Sequence, residues 1–216
     1  MPTETPRFAN PRILDHPLVT DKLVVLRDKT TAPIVFRRLV HELTWLVGVE
    51  ATRDLPLAPA TIDTGLAVHE TARLRTAPAI VPILRAGLGM AGALQELIPD
   101  AVQGHVGLYR DEETLQPVHY YCKLPDLAGR IVLLVDPMLA TGGSVNGAID
   151  LLNAAGVDDA DIRLLVLLAV PEGVTALAAR HPGVAVTAAA LDDHLDEKGY
   201  IVPGLGDAGD RYFGTL

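Results

Sequence analysis

The chain has 216 residues, enough for one domain with a full core, and hydrophobic residues make up 49% of it. Aromatics supply only 4%, so Ala, Val and Leu have to do the packing. A net charge of −9 argues against a nucleic-acid binder, which usually presents a basic face; an anionic ligand would need helix termini, a few arginines or a metal ion.

Residues 1–11 alternate prolines and polar residues without an apolar run, which reads as a flexible or partner-packed extension and not as a secretory leader. Thr20 or Asp21 is a candidate cap for a short apolar segment. A helix is predicted over 34–47, where Phe36, Leu39, Val40, Leu43 and Val47 recur at helical spacing with Arg37, Arg38 and Glu42 outward. Pro56, Pro59, Gly65 and the alternating Leu66 and Val68 predict a small β excursion or hood over 54–78.

From residue 79 the pattern changes to alternating strands and helices. Strand 79–83, loop 84–89 and helix 90–97 come first, then strand 104–109 and a polar hairpin arm over 110–124. Strand 131–135 leads through a loop into a helix stopped by Gly156. Strand 164–170, helix 174–180 and strand 184–191 complete the series. Repeated βα units predict an α/β fold, a single domain whose mostly parallel twisted sheet is flanked by helices on both faces. The longest apolar blocks, 131–135 and 164–170, are too short to cross a bilayer. The lone Cys122 cannot form an intrachain disulfide, and together these features give the expectation of a cytoplasmic protein.

The most informative stretch is Asp136-Pro-Met-Leu-Ala-Thr-Gly-Gly-Ser144, at the carboxyl end of a strand and opening a helix. Gly142 and Gly143 let the backbone approach an anion, Thr141 and Ser144 add hydroxyl donors, and the N–H groups ahead of Val145 are left to bind it. A triphosphate-binding loop would carry a lysine, and none lies between Lys123 and Lys198. A dinucleotide fingerprint would put its first glycine where Asp136-Pro137 stands. An acid before the loop suits the hydroxyl or metal contacts of a sugar phosphate.

The loop Leu84-Arg-Ala-Gly-Leu-Gly89 also joins a strand to a helix, and Arg85 offers it a charge and bidentate donors. Two such loops suggest a ligand with two separated phosphate groups. Arg110, at the base of the arm, could close over an anion and exclude water. The Gly-rich segment 199–214 contains Asp207 and exposes ordered backbone groups that suit the edge of a planar heterocycle. The acid run 192–197 reads as solvent-facing and receives no function, because the seven histidines show no paired ligand spacing.

Together these motifs resemble the uracil phosphoribosyltransferase family, within the type I phosphoribosyltransferase group. The resemblance runs from His16-Pro-Leu-Val19 to Gly214 and includes Tyr109-Arg-Asp-Glu-Glu-Thr-Leu115. Pro137 replaces the second of two acids found in most type I relatives, as is usual in the uracil branch. Val49 stands where an aromatic commonly precedes Glu50-Ala51-Thr52, and residues 54–78 diverge.

The resemblance implies transfer of the 5-phosphoribosyl group from 5-phosphoribosyl 1-diphosphate to N1 of uracil, giving UMP and diphosphate, with Mg²⁺ held mainly by the substrate diphosphate and water. It places Arg85, Arg110, residues Asp136, Pro137, Met138, Leu139, Ala140, Thr141, Gly142, Gly143 and Ser144, and Asp207 on the phosphoribosyl diphosphate. Ile201, Gly206, Asp207 and Ala208 fall on uracil, in a base-recognition tail over 192–216, with Asp207, Arg110 and Asp136 catalytic. It further implies a cis Arg85–Ala86 bond and a homodimer or higher homo-oligomer, and leaves open whether a nucleotide such as GTP activates the enzyme. The competing readings are transfer to another nucleobase and a non-catalytic sensor of phosphoribosyl diphosphate. The latter would need a basic face or a nucleic-acid-binding segment, which the composition does not supply.

Overall fold

A computed structural model describes residues 10–110 and 117–215. The expected extension over 1–11 and the tip of the 110–124 arm therefore fall largely outside the described residues. The elements begin with strand β1 (Arg12–Ile13), helices α1 (Pro17–Arg27) and α2 (Pro33–Ala51), and strands β2 (Leu57–Asp63) and β3 (Val68–Leu74). Then come β4 (Ala79–Leu84), α3 (Leu88–Leu97), β5 (Val102–Gln103), β6 (His105–Arg110), β7 (Pro117–Lys123), β8 (Val132–Val135) and β9 (Met138–Leu139). The chain continues with α4 (Gly143–Ala154), β10 (Ile162–Ala169), α5 (Pro171–Arg180), β11 (Ala185–Leu191), β12 (His194–Leu195), β13 (Ile201–Val202) and α6 (Ala208–Phe213).

Among the described residues the main sheet runs β1-β11-β10-β8-β4-β6-β7, with β5 on β4 and β9 on β10. Every pairing in it is parallel except β6 with β7. The strands are apolar on both faces because each face is covered. Along β8, Leu133 and Val135 join a core with α1, α2 and α3, while Val132 and Leu134 join a second core with α4 and α5.

Local chemistry corrects several boundaries. Helix α1 starts earlier than a cap at Thr20 or Asp21 would allow. Pro17 has no N–H to satisfy in the first turn, and His16 Nδ1 accepts from the Leu18 N–H at 3.1 Å. Residues 10–13 are not a free extension. The Asn10 side chain donates to the Val184 carbonyl and accepts from the Val186 N–H, both at 2.9 Å, and Arg12–Ile13 adds a parallel edge strand to β11. The excursion over 54–78 is an antiparallel hairpin, β2 with β3, that stands away from the main sheet. The 110–124 arm is in part an ordinary sheet strand, since β7 pairs with β6 from His105–Lys123 onward.

Candidate active site

Strands β4 and β8 are neighbours, but their crossovers diverge. From β4 the chain passes through α3 to β6 on one side; from β8 it passes through α4 to β10 on the other. Because α3 and α4 pack on opposite faces, the carboxyl ends of β4 and β8 form a topological switch point, the place where ligands of open α/β sheets bind. The Arg85 loop and the Asp136 loop leave from these two strands.

The loops touch. A Cβ built on Gly87 would lie 2.5 Å from the Val135 carbonyl oxygen and 2.8 Å from that of Ile83, so only glycine lets the Arg85 loop sit against the end of β8. The cis bond in this loop is Leu84–Arg85, one residue before the expected Arg85–Ala86, so it joins the last strand residue to the first loop residue.

Beyond β8, Pro137 and its neighbours are pinned to β10. The Leu167 and Leu168 N–H groups both donate to the Pro137 carbonyl at 3.0 Å, and Met138–Leu139 pairs as β9. Leu139 is buried, Ala140 half-buried and Thr141 exposed. Gly142, at φ 81°, is the N-cap of α4, and that helix has no side-chain cap. The Thr141 hydroxyl accepts from the Gly143 N–H at 3.4 Å, and Ser144 opens the first helical turn. An uncapped helix start with small residues is a ready anion site.

Asp136 is half-buried and accepts from the Met138 N–H at 3.3 Å. Burial pushes its pKa up to about 7; the Met138 hydrogen bond opposes the rise and the charge of Asp207 adds to it. Asp207 of the tail therefore stands close enough to Asp136 to act on it electrostatically. Asp207 also caps α6, accepting from the Asp210 N–H at 2.8 Å.

The tail meets the Arg85 loop too. Arg85 Nη2 lies 3.4 Å from Asp210 Oδ1, and its guanidinium sits 5.6 Å from the Phe213 ring centre. Gly89 faces the Tyr212 ring so closely that a Cβ there would come within 2.4 Å. Arg85, Asp136 and Asp207 thus converge, with 137–144 running from Asp136 to the helix start. Gly206 and Asp207 are exposed, whereas Ile201 is buried in the core and Ala208 begins α6 as a buried residue. Ile201 can offer the site its backbone, not its side chain. Arg110 ends β6, and its side chain lies outside the described residues.

Sequence reasoning missed three residues that hold the tail, and misplaced one of them. Asp192 does not face solvent; it is buried and accepts from the two terminal guanidinium nitrogens of Arg27, at 2.7 and 2.5 Å. Burying a carboxylate at the end of β11 requires such a partner, and Arg27 is 165 residues away in sequence. Buried Arg211 donates to the Leu205 carbonyl at 2.8 Å and the Asp28 carbonyl at 2.6 Å, over the Phe36 ring at 4.4 Å.

Residues 13–215 match the family model for uracil phosphoribosyltransferase. A uracil phosphoribosyltransferase of Rhodospirillum centenum is 54% identical over 97% of this chain and 98% of its own length. One of Ralstonia pickettii is 50% identical over 98% of each chain. Among solved structures, the AQ2163 protein from Aquifex aeolicus superposes with a TM-score of 0.88 at 34% identity, over 93% of this chain and 96% of that one. The adenine phosphoribosyltransferase of Giardia lamblia shares the fold at a TM-score of 0.52 and 18% identity, over 73% of this chain and 81% of that one. The chain belongs to the uracil phosphoribosyltransferase family.

Proposed function

We infer that this protein works as a uracil phosphoribosyltransferase, joining N1 of uracil to C1 of the 5-phosphoribosyl group and releasing diphosphate. The observation that carries the assignment of roles is the seating of one tail against two loops at the sheet's switch point, through Asp207 near Asp136 and Asp210 on Arg85.

Residues 141–144 and the α4 N-terminus receive the ribose 5-phosphate, and Asp136 accepts from the ribose hydroxyls directly or through water. Arg85 turns from Asp210 to the diphosphate, where Arg110 joins it. As diphosphate leaves, positive charge grows at C1 and uracil N1 attacks; the protein contributes position and electrostatics rather than covalent chemistry. Asp207 orients the ribose and helps draw the N1 proton.

Among the described residues there is no group of three or more His, Cys, Asp or Glu able to hold a metal ion. Mg²⁺ would arrive on the diphosphate, since this ion keeps much of its water and asks for one or two carboxylates. Asp207 and Asp136 would hold its water shell, and the bound ion would neutralise diphosphate charge.

Uracil presents acceptor, donor and acceptor along one edge, which the backbone of 206–208 and Ile201 can match. Cytosine would leave buried groups unpaired, a mismatch worth up to ~10⁴-fold in discrimination. The β2–β3 hairpin exposes Leu57, Ile62, Leu66, Val68 and Leu74, which supports a second copy of the chain as its partner. The same reading carries GTP as an activator candidate, decided by rates with and without it. No helix among the described residues is long and apolar enough to cross a membrane.

Purified protein with Mg²⁺, 5-phosphoribosyl diphosphate and uracil should form UMP, and none with cytosine. Comparable rates for the two bases would refute the base assignment.

A further inference from the structure

The segment just ahead of the base-facing residues is tied down at one amino acid from both sides. The Gly204 N–H donates to Asp192 Oδ2 at 2.9 Å, and the Gly204 carbonyl accepts from Arg27 Nη1 at 2.9 Å. Arg27 and Asp192 are themselves paired through two hydrogen bonds, so the four bonds close a ring through the N–H and carbonyl of one residue. Gly204 has φ 60°, and a Cβ on it would lie 2.0 Å from the Ile201 carbonyl oxygen, so the chain reverses there with no slack. Arg27 is the last residue of α1, where a cation complements the helix dipole, and Asp192 directly follows β11. Both anchors therefore stand on regular elements, and neither is among the residues assigned to substrate.

We propose that Arg27 and Asp192 are positioning residues for pyrimidine recognition. They fix the main chain at Gly204 so that Gly206, Asp207 and Ala208 present donors and acceptors at the spacing of the uracil edge. A site that reads a base through its backbone has no side chain with which to take up an error, and about 0.5 Å of play already degrades it. The phosphoribosyl diphosphate loops do not hang from this ring. Loosening it should weaken base binding far more than binding of the other substrate, which meets the anchored segment through Asp207 alone. The proposal rests on the reading that residues 206–208 face the base.

The test uses Arg27→Lys, whose single ammonium cannot reproduce the fork that spans Asp192 and Gly204. Asp192→Asn is the second variant, which keeps an oxygen for the Gly204 N–H and loses the charge. In either, KM for uracil should rise about 10-fold or more. KM for 5-phosphoribosyl diphosphate should rise far less, because Arg85 and residues 136–144 are untouched and Asp207 alone among its proposed contacts lies on the anchored segment. A rise of both constants by the same factor, which general loosening of the fold would give, overturns the proposal, as does an unchanged uracil KM. Hydrogen exchange in the wild-type protein separates this failure from that of the underlying reading. UMP should slow exchange of the 206–208 amides more than 5-phosphoribosyl diphosphate alone. Without that added protection the base-facing assignment itself falls. With it, an unchanged uracil KM in the variants removes the anchor alone.

Discussion

The cradle loop and the carboxy-terminal tail meet at the same end of the sheet, yet they are held by opposite means. Between Asp136 and Ser144 the fixing contacts are local or come from the adjacent strand. The Asp136 carboxylate receives the Met138 N–H, the Thr141 hydroxyl receives the Gly143 N–H, and β10 grips the Pro137 carbonyl. The tail is fixed by the far end of the chain. Arg27 reaches Asp192 and Gly204, Arg211 reaches the Asp28 carbonyl, and Arg37 donates to the Tyr212 carbonyl at 3.0 Å. On the proposed reading the ribose 5-phosphate cradle is thus the property of one short segment, whereas the base-facing segment depends on how residues 27–37 and 192–213 dock.

The largest effect is expected where the two regions meet. Asp207→Asn removes a charge that acts on Asp136 but keeps a side chain able to cap α6. Turnover should fall by about 10²-fold or more with the melting temperature nearly unchanged, on the scale of losing one preorganised electrostatic group. Near-normal turnover would detach the tail from the chemistry.

Gly87→Ala probes the local side. Its methyl would meet backbone oxygens of Val135 and Ile83, which cannot swing away, so the two loops must separate. The expected cost is about 1–3 kcal/mol of stability by urea denaturation, as for other overpacked sites. Affinity for 5-phosphoribosyl diphosphate should drop with it. If calorimetry shows unchanged affinity, the contact between the loops is not what shapes the phosphate site.

This division also governs what could be read in the sequence. The alternation of βα units gave the parallel sheet, and the cradle was legible because Asp136, Thr141, Gly142, Gly143 and Ser144 sit within nine residues. The anchors were not. Asp192 lies in an acid-rich run, and nothing within that run distinguishes the carboxylate that β11 carries into the interior from the neighbours left in solvent. Only the docking of α1 supplies its cation. Likewise the cap of α1 was misplaced because His16 seldom serves as one, and Pro17 was the better signal.

Arg211→Ala tests the tail's dependence on distant contacts. The change strips the Leu205 and Asp28 carbonyls of a charged donor and removes the stack on Phe36. About 2 kcal/mol should be lost, typical of hydrogen bonds to charged groups, with a matching fall in the urea midpoint. KM for uracil should rise more than KM for 5-phosphoribosyl diphosphate. Equal rises would mean that the cradle leans on the tail after all.

The smallest effect is a pH dependence, and it bears on both regions at once. Asp136 has its pKa raised to about 7, first by burial and then by the charge of Asp207. A carboxyl whose folded pKa stands above its unfolded value binds its proton more tightly in the folded state. Its stabilising contribution is complete below the ordinary value of 3.8 and is lost as pH rises through about 7. Substrate binding should run the other way, because on the proposed reading ribose hydroxyls donate to the ionised form. Affinity for 5-phosphoribosyl diphosphate should therefore increase between pH 6 and 8, roughly the window around that pKa, while thermal stability of the free protein declines. Asp136→Asn should flatten both curves. Asp207→Asn should move the midpoint of the binding curve to lower pH, since it removes the repulsion that helps hold the Asp136 proton. A midpoint that stays in place would mean that the tail does not reach the cradle electrostatically, and the two regions would then work as independent halves of the site.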